Sequence, residues 1–228
     1  MTRPARILLV FLDGVGIGPS NQDVNPLLLA GERLPTLMAL MGGAVPTLDQ
    51  PRTAGPGGRA FPLAATLDVE GTPQSGTGQV ALLSGENAAV IYGRHFGPWT
   101  PVRLRPLLED RSVLRRAADA GRTVAFANAY PRGWPGPNGG RHLAGPPLAA
   151  RAAGVLDRHE DALHQGRAVA SEIINGGWRR NLGHLGHEGL PDITARQAGL
   201  NLARISREAE LTLFAHYATD TAGHTQDM

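Results

Sequence analysis

Two apolar runs, one near each end of the chain, each deliver an aspartate just past their carboxyl end. Ile7-Leu8-Leu9-Val10-Phe11-Leu12 runs into Asp13-Gly14-Val15-Gly16-Ile17-Gly18-Pro19, and Leu211-Thr212-Leu213-Phe214-Ala215-His216-Tyr217 runs into Asp220-Thr221-Ala222-Gly223-His224. A run that is continuously apolar rather than alternating marks a strand covered on both faces, as in parallel sheets. Open α/β sheets place ligands beyond the carboxyl ends of their strands. The expectation is therefore an α/β fold, a mostly parallel sheet flanked by helices, with Arg6–Leu12 as a central strand and two acidic strand ends side by side. Such a pair of ends would make a metal site.

The segments between these runs supply helices and one more strand. Pro35 stands at a first helical position before Thr36–Met41, which Gly42-Gly43 closes. The Pro/Gly-rich stretch from Pro51 to Gly58 reads as a loop on the surface. Ser75–Leu83 reads as a helix with a Gly-rich first turn, and Ser112–Ala120 as a helix capped by Ser112 and ended by Gly121. Thr123–Ala127 follows as a strand, the order a doubly wound sheet needs. From Pro131 to Pro147 the chain is dense in Pro and Gly, so residues 130–191 read as an inserted cap, with residues 1–129 and 192–228 forming the core domain. Thr194-Ala195-Arg196-Gln197 has capping-box spacing, and Ala198, Leu202, Ile205 and Ala209 form one apolar helical face behind it.

Composition removes several function classes. All 22 basic residues are arginines, the net charge is +2, and the arginines are scattered apart from short pairs at Arg115-Arg116 and Arg179-Arg180. The pI of 9.6 thus reflects arginine without lysine rather than a basic patch, and no nucleic-acid partner is expected. With no cysteine there is no disulfide and no thiolate ligand, so a metal must be held by Asp, Glu, His or hydroxyl oxygen. The Ile7–Leu12 run is too short for a signal-peptide core or a membrane span, which gives a cytoplasmic expectation with no membrane partner.

The stretch Gly71-Thr72-Pro73-Gln74-Ser75-Gly76-Thr77-Gly78-Gln79 is a Gly-rich turn entering an apolar helix, with a hydroxyl at its mouth. Ser75 competes with Thr72, Thr77 and Ser84 for the role of nucleophile, and it also suits a helix cap. Helix N-terminal amides would hold a phosphoryl group beside such a hydroxyl. A serine needs a base or metal to lose its proton. No Gly-x-Ser-x-Gly elbow is present, and a chain without lysine has no P-loop, which leaves metal activation as the coherent choice. Asp13 is a loop acceptor or a metal ligand, and the glycines after it do not have dinucleotide-loop spacing. Asp220 and His224, spaced i, i+4, can face one point. Arg94-His95 is a phosphate contact or part of a surface loop anchored by Phe96 and Trp99. His184, His187 and Glu188 read as a polar loop rather than a metal site, and His159 and His164 as a solvated helix face.

The Asp13-Gly-Val-Gly-Ile-Gly strand end, the Ser75-Gly-Thr-Gly-Gln turn with Leu83-Ser84-Gly85 behind it, and Asp220-Thr-Ala-Gly-His224, in that order, resemble the alkaline phosphatase superfamily. Within it, the likeness is to the metalloenzyme branch that contains cofactor-independent phosphoglycerate mutase and phosphopentomutase. The resemblance implies two divalent metal ions, Mn²⁺ or Zn²⁺, with Asp13 and Ser75 on one and Asp220 and His224 on the other. It implies Ser75 as nucleophile and a phosphoserine intermediate formed from a small phosphorylated substrate. Gln79 stands where the family often has His and is assigned, with Arg94 and His95, to substrate contact. Return of the phosphoryl group to the substrate gives a mutase, and its capture by water a hydrolase. The family's later Asp-His pair and further His have no counterpart before Met228, so the sequence reads as a fragment lacking its C-terminal part. The alternative is a non-catalytic relative that has lost its metal site and acts as a binding or regulatory protein.

Overall fold

A computed structural model describes residues 5–50, 53–135, 140–182 and 189–225. In chain order the elements begin with β1 (Ile7–Leu12), α1 (Pro26–Ala30), α2 (Pro35–Leu40), β2 (Thr53–Gly55) and β3 (Gly58–Ala60). They continue with α3 (Ser75–Ser84), α4 (Ala88–Tyr92), α5 (Arg105–Arg111), α6 (Val113–Asp119) and β4 (Val124–Phe126). The last are α7 (Gly145–Ala152), α8 (Glu160–His164), α9 (Asn175–Leu182), α10 (Ala195–Ile205), β5 (Leu211–His216) and α11 (Ala218–Thr225). The chain forms two compact units, residues 1–13 with 66–221 and residues 14–65 with 222–228.

The first unit holds the α/β fold expected from the strand runs. Its sheet is parallel, in the order β1-β5-β4, with Ile7 opposite Leu211 and Leu12 opposite His216 on one side of β5 and Val124 opposite Leu211 on the other. β5 is buried along its whole length and is the central strand. β1 is not central as expected: among the described residues it pairs with β5 alone, and Ile7 and Val10 are 59% and 44% exposed. Continuous apolarity reports what a strand is made of, not how many neighbours it has. Leu9 and Phe11 pack into the core, whereas alternate residues Leu8, Val10 and Leu12 lie on the other face and remain exposed.

Helices cover the sheet on both faces. On one face Val80 and Leu83 of α3, Leu108 of α5, Leu114 of α6 and Leu148 of α7 pack with Phe126 and Leu213. On the other, Ala198 and Ile205 of α10 pack with Ala125 and Phe214. The Thr194 hydroxyl caps α10 by accepting from the Gln197 N–H at 3.1 Å. The Gln197 amide turns instead to Asn201 Oδ1, so half of the expected capping box forms. Residues 130–191 stay within the first unit: α7 belongs to the main core, and Ala162, Leu163, Ala168, Ala170, Trp178 and Leu190 gather with Ala129 in a smaller cluster.

In the second unit, the Pro51–Gly58 stretch is not a plain loop but carries the antiparallel β2–β3 hairpin. Gly55 is required there, because a Cβ on it would lie 2.2 Å from the Leu40 carbonyl oxygen at the end of α2. Pro35 opens α2, and Gly42 and Gly43 at positive φ end it, as the sequence pattern predicts.

One side chain replaces a missing piece of strand. β4 ends at Phe126, where the next β5 groups would lose their partners. The buried Asn128 amide fills the gap, donating from Nδ2 to the Ala215 carbonyl at 2.7 Å and accepting the Ala215 N–H on Oδ1 at 2.9 Å. Asn128→Ala leaves two buried backbone groups unpaired, and the expected cost is roughly 2–4 kcal/mol, read by urea denaturation. A loss well below about 1 kcal/mol would show that Ala215 finds other partners.

Candidate functional site

The site begins where β1 ends. The Asp13 N–H donates to the His216 carbonyl at 2.9 Å, extending the β1–β5 pairing by one residue, and the Asp13 carbonyl accepts from Thr219 Oγ1 at 2.6 Å. Asp13 is 8% exposed, and its carboxylate accepts side-chain hydrogen bonds from Ser75 Oγ at 3.2 Å and from Gln79 Nε2 at 2.8 Å. Gln79 Oε1 in turn accepts the Gly145 N–H at 2.8 Å, where α7 begins. A single amide therefore links β1, α3 and α7. Gln79, which the resemblance assigned to substrate contact, lines the cavity described below and bonds to the protein at both ends of its side chain, positioning Asp13.

Ser75 is the first residue of α3 rather than its cap, since Gln74 holds the cap position. The competing hydroxyls are engaged elsewhere or turned out. Thr77 Oγ1 donates to the Gln74 carbonyl and receives the Phe96 N–H, and Ser84 Oγ donates to the Val80 carbonyl at the far end of the helix. Thr72 is exposed. The segment Phe96–Trp99 lies across the helix mouth, and its Phe96 carbonyl accepts the Thr77 N–H at 3.0 Å, which removes one first-turn amide from anion binding. Gly76 permits this crossing, because a Cβ there would lie 2.1 Å from the Trp99 carbonyl oxygen.

Asp13, Ser75, Gln79 and Asp220 line a cavity of about 470 Å³, within the range of small-ligand sites. Much of its wall is aromatic, from Trp99, Trp134, Trp178, Tyr130 and Tyr217, with His142 beside Trp99. The chain has only three Trp and three Tyr, so all of the first and two of the second meet here. No sequence motif marks them, although their rarity was visible. Glu172, Ser171 and Thr221 add to the polar lining.

Arg94 and His95 do not line this cavity. Arg94 is exposed, with its guanidinium 5.9 Å from the Tyr92 ring centroid, and His95 Nε2 sits 3.1 Å from the Val69 carbonyl. Asp220 and His224 share α11 one turn apart, but His224 falls in the second unit and is exposed. His159 is not on a solvated face, because its Nδ1 meets the Tyr130 carbonyl at 2.8 Å, while His164 is exposed. His184, His187 and Glu188 lie outside the described residues. Among the described residues no three His, Cys, Asp or Glu side chains converge as a metal site would require. Asp13 and Ser75 offer hard oxygen donors of the kind a divalent cation takes, but only two of them.

No family model, curated protein or solved structure matches the chain. Among the described residues no helix is long and apolar enough to cross a membrane.

Desolvation pushes the Tyr130 phenol up to about 12, despite its contacts with Tyr217 and Ser171, and pushes Tyr217 well above the usual phenol range with Tyr130 beside it. Both groups therefore hold their protons more tightly in the folded state than in the unfolded chain, whose phenols titrate near about 10. Their contribution to stability is full below pH of about 10 and is lost as pH rises toward about 12. Without lysine or cysteine, the side chains that titrate between about pH 9.5 and 11.5 are the tyrosines alone. The unfolding free energy should fall across that window, and Tyr130→Phe should flatten the fall. A pH-independent free energy for the wild-type chain would contradict the burial of these hydroxyls.

Proposed function

We propose that the chain carries the phosphate-handling half of a phosphotransfer site, with Ser75 as nucleophile in an alkaline-phosphatase-like core. The observation that carries this reading is the Ser75 hydroxyl donating to the buried Asp13 carboxylate at 3.2 Å, at the mouth of α3 and on the wall of the cavity. Asp13 holds the hydroxyl by its proton and is the acceptor for that proton when Ser75 Oγ forms a bond to phosphorus. The P–O bond to the substrate alcohol breaks as the new one forms, and the alcohol oxygen leaves with the electron pair. Gln79 keeps Asp13 in place by donating to its second oxygen. The phosphoserine then returns its phosphoryl group to the substrate, as in a mutase, or yields it to water, as in a hydrolase.

Asp13, Asp220 and Glu172 line the cavity without an arginine among the described residues, so a phosphate dianion needs a countercharge there. In this reading a divalent ion, Mn²⁺ or Zn²⁺, would be held by Asp13 and Ser75 and would supply that charge and Lewis acidity. The absence of a three-residue ligand cluster among the described residues supports a second reading, a binding protein of the same fold without turnover.

An aryl phosphate assayed with added Mn²⁺ separates the two. Ser75→Ala should abolish turnover while costing about 1 kcal/mol of stability, the value of one hydrogen bond. Mass spectrometry of wild-type protein quenched with substrate should place phosphate on Ser75; an adduct on Thr72, Thr77 or Ser84 would overturn the assignment. Full turnover after exhaustive chelation would remove the metal, and no turnover with any divalent ion would favour the binding protein.

A further inference from the structure

The cavity beside Ser75 combines aromatic walls with negative charge. Tyr130 and Trp134 stand with ring centroids 5.2 Å apart and planes at 70°, which makes a corner rather than a flat slot. Phe126 stacks behind Tyr130 at 5.9 Å and fixes that ring from the core side. Trp99 and His142 meet at 37°, again without parallel plates between which a planar ring could slide. Glu172 brings a carboxylate to the same cavity. Among the described residues no arginine lines the cavity. Tryptophan and tyrosine rings attract cations through their π faces, with tryptophan strongest, and a compact ammonium group makes use of walls set at an angle.

We propose that the aromatic end of this cavity binds an organic cation, an ammonium or quaternary ammonium group, carried by the substrate's alcohol portion. The occupant is then a phosphate ester of an amino alcohol, its phosphate toward Ser75 and its cationic head among Trp134, Tyr130 and Glu172. The joining of head to phosphate rests on the function proposed above; the cation site itself does not.

All three tryptophans line the cavity, so intrinsic fluorescence of the full chain reports its occupancy. Four probes differ only in charge and phosphate: choline, its uncharged isostere 3,3-dimethylbutan-1-ol, and the phosphate ester of each, titrated with and without Mn²⁺. Saturable fluorescence changes are expected with choline and its phosphate at concentrations roughly tenfold or more below those of their neutral counterparts. Equal binding by charged and neutral partners, or no saturation with any probe, overturns the cation site. Phosphate esters that bind no tighter than their alcohols even with Mn²⁺ would instead refute the phosphate reading of Ser75 and leave the cation site standing.

Discussion

A buried carboxylate holds this site together, and its hydrogen bonds tie elements that are remote in sequence. Taking Asp13 out of water costs several kcal/mol unless donors replace the lost solvent. Ser75 and Gln79 supply two, both from α3, one turn apart. The orientation of the Gln79 amide is fixed by its partners: its nitrogen must face Asp13, which only accepts, and its oxygen must face the Gly145 N–H, which only donates. A Cβ at Gly145 would lie 3.0 Å from Gln79 Cβ, so the same contact restricts the residue that opens α7. The position of Ser75 thus depends on the packing of three elements rather than on a loop.

What was legible in the sequence follows from how local each signal is. The α3 and α10 helices, the Ser112 and Thr194 caps and the buried β5 strand were readable because a cap or a hydrophobic period is a property of neighbouring residues. The edge position of β1 was not, because its apolar run is equally compatible with one neighbour or two. The β2–β3 hairpin escaped notice because strands of three residues have too few alternations to register. Asp13 and Ser75 were found together from the order of the motifs, and the structure joins them by a hydrogen bond. The aromatic wall was invisible for a different reason: Trp99, Trp134 and Trp178 come from separate loops and a helix, and only tertiary packing gathers them.

The helix mouth shows how local geometry narrows the chemistry. An unobstructed helix N-terminus offers several amides to an anion. Here the Phe96 carbonyl takes one of them and the chain from Phe96 to Trp99 crosses in van der Waals contact with Gly76. The remaining anion-binding capacity is small, and the carboxylates around the cavity oppose it. Among the described residues no arginine lines the cavity, so an anionic group at Ser75 would need positive charge alongside it, which sets the electrostatic terms for any ligand that enters.

The order of the strands in the sheet also bears on how the chain is made. β5, which follows both β1 and β4 in the chain, is the strand to which both are bonded, and Ile7 waits for Leu211 across about two hundred residues. At typical elongation rates of about 5–20 residues per second, the six apolar residues of β1 emerge on the order of 10–40 s before their partner exists. Closing so long a loop also adds an entropic barrier that local contacts cannot offset. On the ribosome, then, the sheet can assemble only after residues 211–216 have been made, and until that moment the nascent chain carries a bare strand edge that must be kept from other chains.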